Sequence, residues 1–478
     1  MNHSASLLGQ MPADSLALVS LSADGSRTEF TFGEVVEASS RLAGRLSSLG
    51  VERGDAVLTL IGSRPEWVLT MLACWRIGAV PVPCNEMLTE GDLAHRIAMS
   101  DPKLLVIHET HSGKVESVGG GRTVISVPDP DFTLGEPVEP VELEDDDPTV
   151  VIFTSGTSAK PKGIVHGHRW LAGQQLQASE WFGAEPGTLA WCTAAPGWSK
   201  SARNVFLAPW LCGAAALIHE GRFDPAERLE IVERERVATL CQAPTEFRVI
   251  AASGELRPLP HLRSMVAAGE ALGSEVIDAF REATGVRIRD GYGQTETNHL
   301  TAVRPGDDAP PGSMGRALSG VELSVVDGEL VVEPRSVPTF FVRTLEGKAA
   351  PLDEPWHTGD LVDEEDGWFF FKGRTDDMIG SSGYRIGPLE VEAALATHPA
   401  VAESAVVGEP DAERGEVVRA VVVLTPGFAG SDSLIAELQA HVKTETAPYK
   451  YPRIIDFTDS LPRTDTGKLQ RSALRGIR

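Results

Sequence analysis

Apolar residues recur along the 478-residue chain in two rhythms. Over 34–50 (EVVEASSRLAGRLSSLG), Val35, Ala38, Leu42, Leu46 and Leu49 fall at helical spacing, and Gly50 follows as a stop. The run 56–62 (AVLTLIG) suits a buried strand, 66–79 reads as a helix, and 80–85 (VPVPCN) as a strand ending. Short apolar runs return at 104–108, 149–154, 214–219, 239–244 and 264–270. Strands that alternate with helices in this way predict an α/β core whose strands are largely parallel. There is no repeat of fixed period.

The pattern changes after about residue 310. Residues 321–334 alternate like paired strands around Asp327-Gly328, a hairpin signal, and 367–374 (GWFFFKGR) reads as another strand. From Thr375 onward the order is a helix over 388–398, strands over 401–407 and 417–424, a helix over 432–446, and a polar tail. A domain boundary is therefore expected near 374–376. Segments 111–148 and 303–312, rich in Gly, Pro and acidic residues, are expected at the surface. The run 144–148 (EDDDP) reads as a solvated turn, not a metal site.

Length and composition narrow the function. A chain this long exceeds what one core usually organises, so two or three domains are expected. Hydrophobic residues make up 42% and charged residues 23%, as in a packed enzyme. With 68 acidic and 43 basic residues the net charge is -25, a field that repels nucleic acid and anionic membranes. The five cysteines form no CxxC pair, which argues against a disulfide framework or zinc site and for a reducing compartment. No secretory signal opens the chain and no apolar run spans a bilayer. The expectation is a cytoplasmic, soluble protein without stable membrane insertion.

Candidate chemistry lies in five segments. The first is 154–163 (TSGTSAKPKG), into which a predicted strand runs directly. Glycines there let backbone N–H groups approach phosphate oxygens, hydroxyls donate, and lysines neutralise charge. Six residues separate Gly156 from Gly163, so it is not a Walker A loop. Alone, it also has a second reading, as a polar surface loop. The others are 291–297 (GYGQTET), 356–361 (WHTGDL), 373–392 (GRTDDMIGSSGYRIGPLEVE) and 461–471 (LPRTDTGKLQR).

In this order and at these separations the five resemble the superfamily of adenylate-forming enzymes, from about residue 28 to the end. The stretches 447–453 (APYKYPR), SSGYRIGPLEVE and PGWSKSARNVFLAPWLCGA look most like medium-chain acyl-CoA synthetases. The resemblance implies a large N-terminal domain (1–375) of layered α/β sheets plus a small distorted β-barrel. A small mobile α+β C-terminal domain (376–478) follows. It also implies a stand-alone ligase, monomer or homodimer, that takes a small-molecule carboxylic acid, ATP with Mg²⁺, and coenzyme A, and makes the thioester through an acyl-adenylate.

The chemistry explains the residue types. A carboxylate is a poor electrophile, and adenylation supplies a leaving group. Lys468 resembles the lysine that bridges the α-phosphate and the attacking carboxylate, where charge must be stabilised. By the same resemblance Thr295 donates to the α-phosphate and Glu296 helps hold Mg²⁺. Thr154, Ser155, Gly156, Thr157 and Lys162 cradle the nucleotide's phosphates. Tyr292 stacks on adenine with Gly269 and Glu270 on the opposite side, Gly291 belongs to the same nucleotide site, Asp360 accepts from the ribose hydroxyls, and Arg374 and Arg385 approach ribose and phosphate. Either arginine also reads as a structural ion pair.

Thiol attack requires Lys468 to leave, and relatives rotate the C-terminal domain about a hinge that matches Asp376. Ser382 and Gly383 then line the pantetheine tunnel. Lys443, Lys450 and Arg453 are candidates for the phosphates of CoA, and equally for a solvated basic face. Trp198 and Ala268 are assigned to the acyl pocket, Trp198 being a gate or simply core. Gly293 stands where acetate-specific relatives carry Trp, which implies an acid larger than acetate.

Two features depart from the family pattern. Ala159 replaces a glycine of the phosphate loop, which motivates a second reading: a ligase with weak or absent adenylation that thioesterifies a preformed acyl-adenylate. The region 329–357, with Phe340 and Phe341, is short and reads as a trimmed surface loop. A luciferase-type oxygenase and a silent nucleotide-binding regulator fit the motifs less well.

Overall fold

The computed structural model describes residues 1–154, 161–270, 272–382, 384–411, 413–463 and 469–475, with the backbone alone at Arg385. Two compact units result. One holds 1–154, 161–322 and 333–355; the other holds 323–332 and 356–478 apart from the residues just excluded.

The first unit is built on parallel strands. Its nine-stranded sheet runs in the order Arg316–Ala317, Asn298–Ala302, Ile288–Gln294, Ser264–Ala268, Thr239–Gln242, Leu189–Cys192, Ala215–His219, Leu16–Leu21, Arg27–Thr31. From Ile288–Gln294 to Leu16–Leu21 all neighbours are parallel; the outer pairs are antiparallel. Helices cover both faces, so the central strands read as continuous apolar runs. On one face, Leu229, Phe247, Val276 and Phe280 pack onto Leu240 and Met265. A second sheet, Val80–Pro83, Ala56–Leu60, Leu104–His108, Thr123–Val127, is parallel throughout. The helix Pro65–Ile77 is buried on nearly every side, as its all-round hydrophobicity requires. Its Trp67 and Trp75 meet Phe206 at ring separations of 5.5 and 6.0 Å.

The second unit holds two sheets. Leu323–Val326, Glu329–Val332, Trp356–Glu365 and Trp368–Arg374 form an antiparallel four. Its first hairpin turns through Asp327 and Gly328 at φ 50° and 81°, as the Asp-Gly pair predicted. The other sheet joins Tyr384–Ile386, Ile379–Ser381, Gly415–Leu424 and Val401–Asp411, with helices Pro388–Ala396 and Asp432–Glu445 packed through Val391, Leu395, Leu438 and Val442.

Three expectations need correcting. The tail contains a strand, Ile454–Thr458, parallel to Gly415–Leu424; one buried residue in five leaves almost no pattern to read. Segment 111–148 is not all surface, since Thr123–Val127 completes the second sheet and Val115, Phe132 and Leu143 are buried. The region near Phe340 and Phe341 is not a surface loop either, for both rings are buried. No described helix is long and apolar enough to cross a membrane.

Candidate active site

In an open α/β sheet, ligands bind outside the carboxyl ends of the strands. Ser264–Ala268 ends at Ala268, and Gly269 follows at φ 102°. The Glu270 carboxylate accepts from the Thr245 hydroxyl at 2.8 Å and Arg248 Nη2 at 2.7 Å, so the backbone of this segment is pinned to the helix Pro244–Ser253.

The neighbouring strand, Ile288–Gln294, carries Gly291, half-buried Tyr292 and Gly293. Thr295, Glu296 and Thr297 make the turn into Asn298–Ala302, and the side chains of Thr295 and Glu296 are half-buried. This turn is braced from below. Phe341 N–H donates to the Glu296 carbonyl at 2.9 Å, and the Thr339 hydroxyl to the Thr297 carbonyl at 2.6 Å. Trp170 Nε1 donates to Asn298 Oδ1 at 2.9 Å, holding that residue at φ 60°. Buried His166 faces the Thr339 carbonyl at 3.2 Å, and burial pushes its imidazole down to about 4.

Gly293 is glycine for a backbone reason. A Cβ there would lie 1.8 Å from the Asn298 carbonyl oxygen, so no side chain fits on this backbone. Beside it, Lys200 Nζ donates to the Ala268 carbonyl at 2.9 Å and stands 5.7 Å from the half-buried Trp198 ring. Asp290 accepts from Gly291 N–H at 2.8 Å, and burial, partly offset by the charge of Lys200, lifts its carboxyl to about 7.

Thr154 and Lys162 close the base of a hairpin between Pro148–Phe153 and Gly163–Gly167. Thr154 N–H donates to the Lys162 carbonyl at 2.9 Å, and Lys162 N–H to the Thr154 hydroxyl at 3.3 Å. Ser155, Gly156, Thr157 and Ala159 lie outside the described residues, as do Gly383, Lys468 and the Arg385 side chain.

In the second unit, Asp360 is 4% exposed and pairs across the strands with Arg374, whose Nη1 donates to Oδ1 at 3.2 Å. The same guanidinium donates through Nε to exposed Asp376 at 3.0 Å. The Thr358 hydroxyl, in the same strand, accepts from Asp360 N–H at 3.1 Å. Ser382 is exposed at φ 50° and accepts from Arg414 Nη1 at 3.0 Å. Lys443 and Arg453 flank the Tyr451 ring at 3.9 and 5.0 Å, and Lys450 pairs with Glu390. Tyr384 and Tyr449 stack at 4.2 Å, and Lys450 Nζ lies 5.7 Å from the Tyr449 ring.

The description "AMP-binding enzyme" matches residues 8–338, and "AMP-binding enzyme C-terminal domain" matches 390–468. The chain belongs to the AMP-binding enzyme family. It is 36% identical to an uncharacterized acyl–CoA ligase of Bacillus subtilis, over 94% of this chain and 91% of that one. It is 35% identical to the human mitochondrial acyl-coenzyme A synthetase ACSM4, over 98% and 87%. Among solved structures it resembles an anthranilate CoA ligase in complex with anthranoyl-AMP, with TM-score 0.90, 29% identity and 98% and 96% coverage. A benzoate CoA ligase from Burkholderia xenovorans gives TM-score 0.88 at 28% identity over 99% and 100%. This family member is an AMP-forming acid–thiol ligase of the acyl-CoA synthetase class. The comparisons favour the complete reaction over the reading restricted to a preformed adenylate.

Sequence reasoning missed the braces of the ligase: Trp170, His166, Thr339 and Phe341 carry no motif of their own. The only signal was the pair Phe340-Phe341 in a region otherwise read as loop.

Proposed function

We propose that the ligase converts a carboxylic acid larger than acetate to its CoA thioester in two half-reactions that share one nucleotide site. The observation that carries this reading is the braced turn Thr295–Thr297 at a strand's carboxyl end, in a chain similar to acyl-CoA synthetases over almost its full length. Thr295 donates to the α-phosphate, and Tyr292 covers one face of adenine with the Gly269–Glu270 backbone on the other. Asp360, oriented by Arg374, accepts from the ribose. The loop based on Thr154 and Lys162 holds the β- and γ-phosphates.

Mg²⁺ enters on the phosphates of the nucleotide. Glu296 supplies one hard oxygen ligand to it. When bound, Mg²⁺ neutralises the charge that develops on the phosphates. Lys468 stabilises the carboxylate as it attacks the α-phosphorus, and pyrophosphate leaves.

For the second half-reaction a C-terminal domain beginning near 376 rotates about Asp376, withdrawing Lys468 and bringing Ser382 and Gly383 to the thiol's path. Lys443, Lys450 and Arg453 hold the phosphates of CoA. Trp198, Ala268 and Gly293 border the acyl group. The ligase works in the cytoplasm as a monomer or homodimer.

The test is Lys468→Ala, assayed for each half-reaction. ATP–pyrophosphate exchange should fall by at least about 100-fold, as when a preorganised charge is removed, while thioester formation from synthetic acyl-adenylate and CoA should persist. Equal loss in both would contradict the assignment of Lys468 to adenylation alone.

A further inference from the structure

The helical segment that follows Trp198 begins at Lys200, whose carbonyl accepts from Asn204 N–H at 3.2 Å. The lysine side chain therefore leaves a fixed backbone. It is half-buried, and its Nζ donates to the carbonyl of Ala268, the last residue of the strand Ser264–Ala268, at 2.9 Å. The Trp198 ring lies 5.7 Å from the same nitrogen, so one ammonium stands between two acyl-pocket candidates.

Gly269 shows what this ammonium borders. Its chain neighbours apart, a Cβ added to Gly269 would meet one atom within 4 Å, Lys200 Nζ at 3.9 Å. The side of Gly269 on which a side chain would stand is thus open, with a cation at its edge. The backbone there, at φ 102°, favours glycine, which keeps the space clear.

The donors of Lys200 exceed its acceptors. An ammonium has three N–H groups and accepts nothing. Ala268 takes one, and Lys200 makes no other hydrogen bond or ion pair among the described residues. Its charge is incompletely balanced as well. Asp290 feels that charge, but burial lifts the Asp290 carboxyl to about 7, so the group is only partly ionised at neutral pH. A cation held this way is stabilised when a ligand brings an anion.

We propose that Lys200 binds the reacting carboxylate of the acid beside Ala268 and Gly269 and presents it for adenylation. This rests on the acyl-pocket reading above. One carboxylate oxygen bonds to the α-phosphorus, the bond to pyrophosphate breaks, and pyrophosphate keeps that electron pair. The carboxylate charge is lost in the new bond, which leaves Lys200 facing a neutral acyl carbonyl. Its contribution therefore belongs mainly to the first half-reaction. Lysine suits the task because a compact point charge demands no fixed orientation of the anion.

The experiment compares Lys200→Met with the unmutated full chain in each half-reaction. In ATP–pyrophosphate exchange the KM for the acid should rise by roughly tenfold to a hundredfold, the usual effect of losing a hydrogen bond to a charged group. The KM for ATP should stay within about twofold, thioester formation from synthetic acyl-adenylate and CoA should fall at least about tenfold less than exchange, and Lys200→Arg should recover part of the loss. An unchanged KM for the acid overturns the proposal, as does a rise in the KM for ATP instead, which would place the ammonium on a phosphate. Equal loss in both half-reactions also overturns it, since that is what a purely structural bond to Ala268 would give. A second measurement needs no change at Lys200. In the Lys468→Ala chain with a non-hydrolysable ATP analogue, calorimetric titration should find the acid bound at least about tenfold more tightly than its primary amide; equal affinity refutes the proposal. Ala268→Val tests the acyl-pocket reading separately. It should shift preference toward shorter acids, and if it does not, that reading fails whatever Lys200 does.

Discussion

Glu296 shows how little of a motif's geometry lies in the motif. Its carbonyl is held by Phe341, the next carbonyl by Thr339, and the following side chain by Trp170. These partners lie up to 128 residues away in sequence, so spacing alone does not reveal them. The motif residues themselves were legible because phosphate, ribose and metal binding demand particular side chains. His166, under the same turn, makes the bracing testable. Its ring stays neutral in the folded ligase down to about 4, while an unfolded imidazole takes its proton near its ordinary value of 6.5. The unfolded state therefore binds more protons as pH falls from 6.5 toward 4, and stability is lost across that window. His166→Asn should flatten the fall in Tm between those limits; an unchanged slope would show that His166 contributes nothing to it.

At the scale of elements, the regular pieces were legible wherever burial follows a simple period. The helix read over 432–446 is Asp432–Glu445, and the strand read over 104–108 is Leu104–His108. Two π-turns, Ala178–Phe182 and Arg203–Leu207, were not, since an extra residue in a turn changes no composition. Such turns concentrate at functional sites, and these two present Trp181 and Arg203. The caps are legible and also testable. Ser431 accepts from Leu434 N–H at 3.2 Å and starts the helix Asp432–Glu445. Ser431→Ala should cost about 1 kcal/mol, seen as an earlier calorimetric transition of the full chain, and Ser431→Asp, itself a good cap, should restore it. If Asp destabilises as much as Ala, the cap is not the source of the effect.

For the whole molecule, a net charge of -25 coexists with Lys443 and Arg453 set against the Tyr451 ring. Sequence order alone conveyed the ligase class, because five separated motifs had to serve one nucleotide. It conveyed less about which acid is bound, since the acyl-pocket candidates Trp198, Ala268 and Gly293 come from three separate segments. Ala159 in the phosphate loop makes adenylation the half-reaction to test. The deciding measurement gives the unmutated ligase two sets of reactants in parallel: a carboxylic acid larger than acetate with ATP, Mg²⁺ and CoA in one, and the matching synthetic acyl-adenylate with CoA in the other. The account predicts acyl-CoA in both, with AMP and acyl-CoA formed in equal amounts from ATP. Product in the adenylate reaction alone would contradict it and place the loss in the loop that carries Ala159.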